Sequence, residues 1–175
     1  MNEAYGLMAE FSTHEELLHA AEKAYQQGFR KMDGYAPFPV EGLAEALGKK
    51  TRLPLLVLIG GIIGGLSAYF MEWDANVISY PINIGGRPLN SWPAFIPITF
   101  ELTVLGASLT AFFVSLGRNG LPRPYHPVFN VPGFERASQD RFFLCIEAAD
   151  RIFHSDRTRE FLQSLHPLAI AEVPK

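Results

Sequence analysis

The fold is decided by an uncharged stretch of 19 residues, which reads Leu53-Pro-Leu-Leu-Val-Leu-Ile-Gly-Gly-Ile-Ile-Gly-Gly-Leu-Ser-Ala-Tyr-Phe-Met71. A helix rises about 1.5 Å per residue, so this stretch is long enough to cross the roughly 30 Å hydrocarbon core of a bilayer. The stretch starts fifty residues into the chain, after a pattern typical of a soluble fold. We therefore predict a membrane-spanning helix rather than a signal peptide.

A second apolar stretch, residues 94–116, contains a single charged residue in 23 positions, Glu101. Together the two stretches predict a membrane hairpin. The alternative is a pair of buried core helices in a soluble protein. Buried core helices are usually shorter than these stretches, so the hairpin is the favoured interpretation.

The overall composition averages this hairpin with an ordinary soluble remainder. The 175 residues are 48% hydrophobic and 19% charged, with a net charge of -3. That charge argues against a nucleic-acid surface, and the composition excludes a disordered chain. The one cysteine, Cys145, excludes an intrachain disulfide, and it excludes a cysteine-rich zinc site or an iron–sulfur cluster held by this chain alone.

The charges that flank the spans predict their orientation. Five basic residues stand on the same side of the hairpin: Lys49, Lys50, Arg52, Arg118 and Arg123. The positive-inside rule then places both termini in the cytoplasm and the connecting loop outside. The predicted segments are spans over 53–72 and 93–117, an outer loop over 73–92, and a cytoplasmic connector over 118–133.

Small residues recur at helical spacing on both spans. They are Gly60, Gly61, Gly64 and Gly65 in the first span, and Thr99, Thr103, Ala107, Ala111 and Ser115 in the second. Such stripes let two helix backbones approach closely and gain dispersion contacts. We expect them to mediate packing within the hairpin or against partner helices, with lipid-facing glycines as the alternative.

Glu101 is the ionisable group within a span. A charge at this depth is costly, so the side chain should be neutral, paired, or facing protein or water. It is therefore a candidate for proton relay or for a polar contact with a partner helix. The alternative is a carboxyl that is hydrogen-bonded locally, to a threonine or a backbone carbonyl.

The remaining segments, 1–50 and 134–175, predict two halves of one cytoplasmic domain. In the first half, alternation predicts a strand with Tyr5, Leu7, Ala9 and Phe11 on one face. Ser12 and Glu15 have the spacing of a capping box that begins the following helix. Each half reads strand–helix–strand, so the fold class is α+β: a ferredoxin-like domain split by the inserted hairpin.

The soluble segments carry no recognisable catalytic or metal-binding pattern. The five histidines lack metal-ligand spacing, and Cys145 is expected to pack as a small hydrophobic residue. Two segments rich in turn formers, 80–93 and 121–133, should be solvated or held against another protein. We expect them to dock partners, through five residues in particular: Arg87, Asn90, Trp92, Tyr125 and His126.

Five segments of the chain carry a family resemblance: Pro37–Leu43, Ile59–Gly61, Tyr80–Leu105, Asn119–Val131 and Asp140–Glu147. The longest begins Tyr80-Pro-Ile-Asn-Ile-Gly-Gly-Arg-Pro-Leu-Asn-Ser-Trp-Pro. In these segments the sequence resembles the D subunit of bacterial alternative complex III, a family of two-span membrane proteins.

The resemblance implies a non-catalytic structural subunit of a respiratory quinol:acceptor oxidoreductase in the bacterial inner membrane. Its partners would be the lipid bilayer and other subunits, including multi-span quinol-binding subunits, and no nucleic acid. This chain would hold no cofactor, whereas haem c and iron–sulfur clusters are expected in partner subunits. Two other functions stay open from the residues alone: a small proton-conducting or transport component using Glu101, and a membrane-tethered ligand-binding module.

Overall fold

The computed structural model describes residues 4–175, and the chain divides into two compact units. One unit runs up to Lys50 and resumes at Pro124, and the other is Thr51–Arg123. In chain order the helices and strands are β1 (Ala4–Phe11), α1 (His14–Gln27), β2 (Met32–Tyr35), α2 (Leu43–Ala46), α3 (Leu53–Trp73), α4 (Trp92–Arg118), β3 (Phe142–Glu147), α5 (Ser155–Gln163) and β4 (Ala169–Pro174).

The first unit is mixed α/β and is built on a four-stranded sheet. The strand order is β2-β3-β1-β4, and every neighbouring pair is antiparallel. The two strands of the first half therefore do not pair with each other, because β3 lies between them. The two halves of the unit build one sheet and cannot each bury a core alone.

Helix α1 begins one residue later than the sequence predicts. The capping box is formed by Thr13 and Glu16, and the amide of Glu16 donates to Thr13 Oγ1 at 3.2 Å. The predicted pair, Ser12 and Glu15, also combines a hydroxyl residue with a glutamate three positions later. Spacing alone therefore did not decide which of the two pairs forms the capping box. Ser12 contributes differently, since its amide and hydroxyl both donate to Glu16 Oε2.

Tyr5 does not share a face with Leu7, Ala9 and Phe11, so the predicted alternation is wrong at its first residue. The register of β1 against β4 shifts between Ala4 and Gly6, which marks a β-bulge or an irregularity. An extra residue in one strand reverses the side-chain alternation beyond it. Tyr5 accordingly packs with the opposite core cluster.

Hydrophobic residues cover both faces of the sheet. On one face, α1 and α5 bury residues such as Leu7, Phe11 and Leu144. The other face is covered by two short 3₁₀ helices, Pro127–Asn130 and Phe134–Ser138, whose apolar side chains pack on Met8, Phe143 and Cys145. Part of the predicted connector is thus a packed layer of this unit.

Asp150 fastens the turn after β3 to the loop before β2. Its Oδ2 accepts hydrogen bonds from the amides of Arg30 and Lys31, both at 2.7 Å, and its Oδ1 accepts one from Ile152 at 3.0 Å. Burial raises the pKa of this carboxyl, but the hydrogen bonds from Lys31, Arg30 and Ile152 outweigh it and hold the pKa below its ordinary value. These amides bond to a side chain, and β2 begins only at Met32.

The second unit is a hairpin of two long helices, α3 and α4. Both helices are long and apolar enough to cross a membrane. Helical structure continues beyond α3 as a π-helix over Asp74–Ser79, so the predicted outer loop begins later than residue 73. Thr103, Ser108 and Thr110 each donate to the carbonyl four residues earlier, which satisfies their hydroxyls inside α4.

Candidate functional site

Glycines of α3 and α4 face each other across the hairpin, where the two backbones approach closely. A Cβ built on Gly106 would lie 2.6 Å from the carbonyl oxygen of Gly60 and 3.3 Å from the Cα of Gly64. A Cβ built on Gly64 would overlap the carbonyl oxygen of Leu102. Because the obstructing atoms are backbone, only glycine allows this separation of the helices.

The other small residues singled out from the sequence lie along the same contact, with the exceptions of Ala111 and Ser115. Gly61 faces Thr103 and Ala107, and a Cβ on it would be in ordinary contact 3.5 Å from the Ala107 Cβ. A Cβ on Gly65 would overlap Thr103 Oγ1. Ala111 lies one turn beyond Ala107 and is half-buried, without a described contact to these glycines.

Three residues of the contact were missed in the sequence: Leu102, Gly106 and Thr110. Thr110 lies against Gly60, where its Oγ1 would overlap a Cβ. The three recur at spacing four, as the chosen stripe does, but one helix turn offers several such rows. Which row faces α3 depends on the rotation of α4 about its axis, and local spacing does not fix that angle.

The end of the hairpin next to the connection between α3 and α4 has a polar and an aromatic contact. Thr99 Oγ1 donates to Glu72 Oε2 at 3.5 Å, and the rings of Tyr69 and Phe95 meet edge to face at 5.9 Å. Phe95 is fully buried within the hairpin unit. These contacts join α3 and α4 beyond the glycine segment.

A shallow groove of about 580 Å³ runs along one side of the hairpin. Its walls include Leu58, Ile62 and Leu66 of α3 together with Thr103 and Ala107 of α4. The lining is almost entirely apolar, so the groove suits hydrocarbon or apolar side chains rather than a polar ligand.

Glu101 points away from α3 and is exposed on the hairpin. No side chain or backbone group within residues 4–175 forms a hydrogen bond or ion pair with it. The local hydrogen bond expected as one alternative is therefore not formed with the described part of the chain. The neighbouring hydroxyls are engaged elsewhere, since Thr103 donates to the Thr99 carbonyl and Ser108 to the Val104 carbonyl.

The connection between α3 and α4 contains three predicted docking residues with exposed side chains. Arg87, Asn90 and Trp92 are all exposed, and Trp92 begins α4. The amide of Arg87 donates to the carbonyl of Ile84 at 3.2 Å across a tight turn. The turn needs glycine, because its two central residues, Gly85 and Gly86, have φ of +59° and +77°.

Apolar side chains in this connection are exposed as well. Tyr80, Ile82 and Ile84 have exposed fractions of 73%, 68% and 70%. They alternate along a segment without helix or strand structure. An apolar row of this kind is typical of a surface that another protein covers.

The two predicted docking residues of the connector that follows α4 differ in their surroundings. Tyr125 is exposed, and its hydroxyl is the acceptor for the Asn130 side-chain amide. His126 is half-buried: its ring meets Tyr5 edge to face at 5.3 Å, and its Nδ1 accepts from the amide of Val128. His126 thus helps to hold a 3₁₀ helix on the sheet, whereas Tyr125 presents an open surface.

Titratable groups on the second face of the sheet hold their protons firmly. Tyr5 Oη donates to Glu147 Oε1 at 3.1 Å, and burial together with the Glu147 charge raises the pKa of Tyr5 to about 12. Burial, with the charges of Asp33 and Glu147, raises the pKa of Cys145 to about 12. Burial also raises the pKa of Tyr35. Near neutral pH these groups supply neither a thiolate nor a phenolate.

No group of three or more His, Cys, Asp or Glu side chains in residues 4–175 is arranged to hold a metal ion. Some carboxylates instead form ion pairs at the surface, such as Asp33 with Lys49 and Glu10 with Arg141. The described residues thus bring together helix-packing and surface features rather than a set of convergent reactive groups.

The chain matches a known protein family. A family model described as "Alternative complex III, ActD subunit" matches residues 5–172. No curated protein matches the chain. The match covers both units and the connections between them, and it agrees with the resemblance found in the sequence.

Proposed function

Because the chain belongs to the ActD family of alternative complex III subunits, we propose that it is a non-catalytic structural subunit that stabilises the large quinol-binding membrane subunits. The observation that carries the proposal is the division of the hairpin surface. The small residues at the contact of α3 and α4 pack against each other, and large apolar side chains such as Leu66, Phe112 and Phe113 remain exposed around this contact. These side chains suit lipid or the spans of neighbouring subunits.

The chemistry of the α/β unit supports a role without catalysis. Its cysteine is buried and protonated, and its polar groups form pairs that stabilise the fold. We propose that haem c and iron–sulfur clusters reside in partner subunits and that this chain holds no cofactor. Quinol oxidation is then the activity of the complex, to which this chain contributes assembly.

We further propose a ferredoxin-like topology for the α/β unit, with the hairpin inserted between its halves. The order β2-β3-β1-β4 with antiparallel neighbours supports this topology. The basic residues beside the spans support a cytoplasmic location for the unit, in the bacterial inner membrane, with both termini inside. The exposed residues Arg87, Asn90 and Trp92 would then dock partners at the outer surface, and Tyr125 would dock them at the inner surface.

The test is to purify the full chain from its native membranes through a carboxyl-terminal tag in mild detergent. We expect c-type haem absorbance to elute with the chain in constant ratio. In a deletion strain, the amount of assembled complex should fall, while the quinol oxidation per haem of any remaining complex stays near that of the wild type. Extraction of the chain alone, or a fully assembled but inactive complex in the deletion strain, would contradict the proposal.

A further inference from the structure

The outward face of α4 is defined by the position of Glu101 relative to α3. A helix turns about 100° per residue, so Glu101 lies about 180° around α4 from Thr110. Thr110 is one of the residues in contact with α3, at Gly60. The hairpin partner therefore cannot reach Glu101, and a contact for this carboxyl has to come from another molecule.

Other residues of α4 lie on the same face as Glu101. Ala94, Pro97 and Ser108 lie within about 40° of it around the helix axis, as do the larger exposed residues Leu105 and Phe112. Pro97 has no amide hydrogen to donate to the carbonyl four residues earlier, and Ala94 and Ser108 are small enough for a close approach of another backbone. The outward face thus combines the Glu101 carboxyl and the Ser108 hydroxyl with small and large apolar side chains, a surface on which a second helix can pack.

Glu101 also lies deep in the span. It is nine residues from Trp92 and 17 from Arg118, which correspond to about 14 Å and 26 Å along the helix axis. A carboxyl side chain is too short to reach either interface from this depth. Lipid is a costly surrounding for it, and intramembrane carboxyls usually face protein or a water-filled cavity and are paired.

We infer that the outward face of α4 docks on a transmembrane helix of a partner subunit that presents a basic side chain to Glu101. This inference rests on the proposed function, since it takes the partner to be a subunit of the same complex. The occupant is argued from charge complementarity: intramembrane ionisable residues pair with one another, and the complement of a carboxylate is a lysine or arginine at the same depth. The pair fixes the rotation and the depth of α4 against its neighbour.

The experiment compares three variants of the tagged full chain with wild type: Glu101→Leu, Glu101→Gln and Glu101→Asp. The matched control is Phe100→Leu, because Phe100 is exposed at the same depth but lies about 100° around the helix. The measured quantity is c-type haem retained per tagged chain after a detergent wash, in membranes with equal amounts of each chain.

We expect the leucine and glutamine variants to lose at least about tenfold in retained haem. The aspartate variant should keep most of it, and the Phe100→Leu control should match wild type. Wild-type retention by the leucine variant would overturn the docking role. If the glutamine variant retains haem as wild type does while the leucine variant loses it, the basic partner is overturned, because a neutral hydrogen bond would then suffice. Unchanged assembly with lost quinol oxidation in the glutamine variant would also overturn it, in favour of proton relay.

The design separates this inference from the proposed function. If the wild-type chain itself retains no haem, the proposed function fails. If wild type and all Glu101 variants retain it equally, the chain is a subunit of the complex and only the docking contact is refuted. Loss of haem could also follow from unfolding of the hairpin, and SDS titration of the purified chain tests this. The Glu101→Leu variant should be at least as stable in SDS as wild type.

Discussion

Replacement of Gly64 by alanine should force the two helices of the hairpin apart. A Cβ at this position would overlap the carbonyl oxygen of Leu102 and lie 3.2 Å from the carbonyl carbon. Both atoms are backbone, so no side-chain rotation relieves the overlap. Gly61→Ala is the matched control on the same helix, because its Cβ would be in ordinary contact 3.5 Å from the Ala107 Cβ.

The size of the effect follows from the contacts that are lost. Alanine is favoured over glycine inside a helix by about 1 kcal/mol, and this gain cancels between the two variants. One pair of non-bonded heavy atoms in contact contributes about 0.1–0.2 kcal/mol of dispersion energy. If the helices separate by about 0.5–1 Å, each such contact loses roughly a quarter to a half of this energy. Over a few tens of atom pairs the loss is about 1–3 kcal/mol, the range typical of over-packed interiors. We expect Gly64→Ala to be about 2 kcal/mol less stable than Gly61→Ala.

The assay is SDS-induced separation of the helices in the purified chain. Fluorescent labels on cysteines that replace Thr51 and Arg118, in a Cys145→Ala background, report the separation by energy transfer. The midpoint should fall for Gly64→Ala and stay equal or rise for Gly61→Ala. Equal shifts of both variants would refute the steric argument and leave helix propensity as the only contribution of these glycines.

Three predictions concern the α/β unit. Asp150→Ala leaves three part-buried amides without their acceptor and should cost about 1–3 kcal/mol in chemical unfolding. The pKa of Asp150 is lower in the folded than in the unfolded protein. The stabilisation from its ionised carboxylate is therefore complete above the unfolded pKa of about 3.9 and is lost as pH falls through the folded pKa. Acid should accordingly destabilise the wild type more than the variant. Thr13→Ala should cost about 1 kcal/mol and speed amide exchange in the first turn of α1, whereas Ser12→Ala should have a smaller effect. Cys145 should react with a maleimide only as fast as the unit unfolds, since it is 1% exposed and its pKa is raised to about 12.

Each of these predictions has an outcome that contradicts it. An unchanged midpoint of chemical unfolding for Asp150→Ala would show that water replaces the carboxylate as the hydrogen-bond acceptor. Equal exchange rates in the Thr13 and Ser12 variants would place the cap elsewhere. Labelling of Cys145 that does not depend on denaturant would show that the sheet face opens locally.

The sequence allowed the hairpin to be predicted because apolar length is a local property. The two helices, the end of α1 at Gly28 and the strands β1, β3 and β4 follow from composition, periodicity and turn residues within short windows. The family could be named for a related reason, since long segments of the chain resemble the family in consecutive residues.

Other features depend on contacts between distant residues and were not predictable. The bulge or irregularity in β1 places Tyr5 beside Glu147. Of the two adjacent hydroxyl residues, Thr13 rather than Ser12 is the N-cap of α1. Both changes are small in sequence, but each alters which side chains meet. A one-residue shift moves a strand residue to the opposite face of its sheet, so short-range patterns leave such details open.

The sequence by itself determined that the chain has two membrane-length helices, an α/β remainder and an intramembrane carboxyl, because these are properties of length and residue type. Only the tertiary structure decided which row of α4 meets α3, that 3₁₀ segments cover the second face of the sheet, and that Glu101 points outward. The physical reason is that helix rotation and strand register are set by close packing between segments far apart in the chain. Such packing depends on the shapes of both surfaces at once, which no single window of sequence contains.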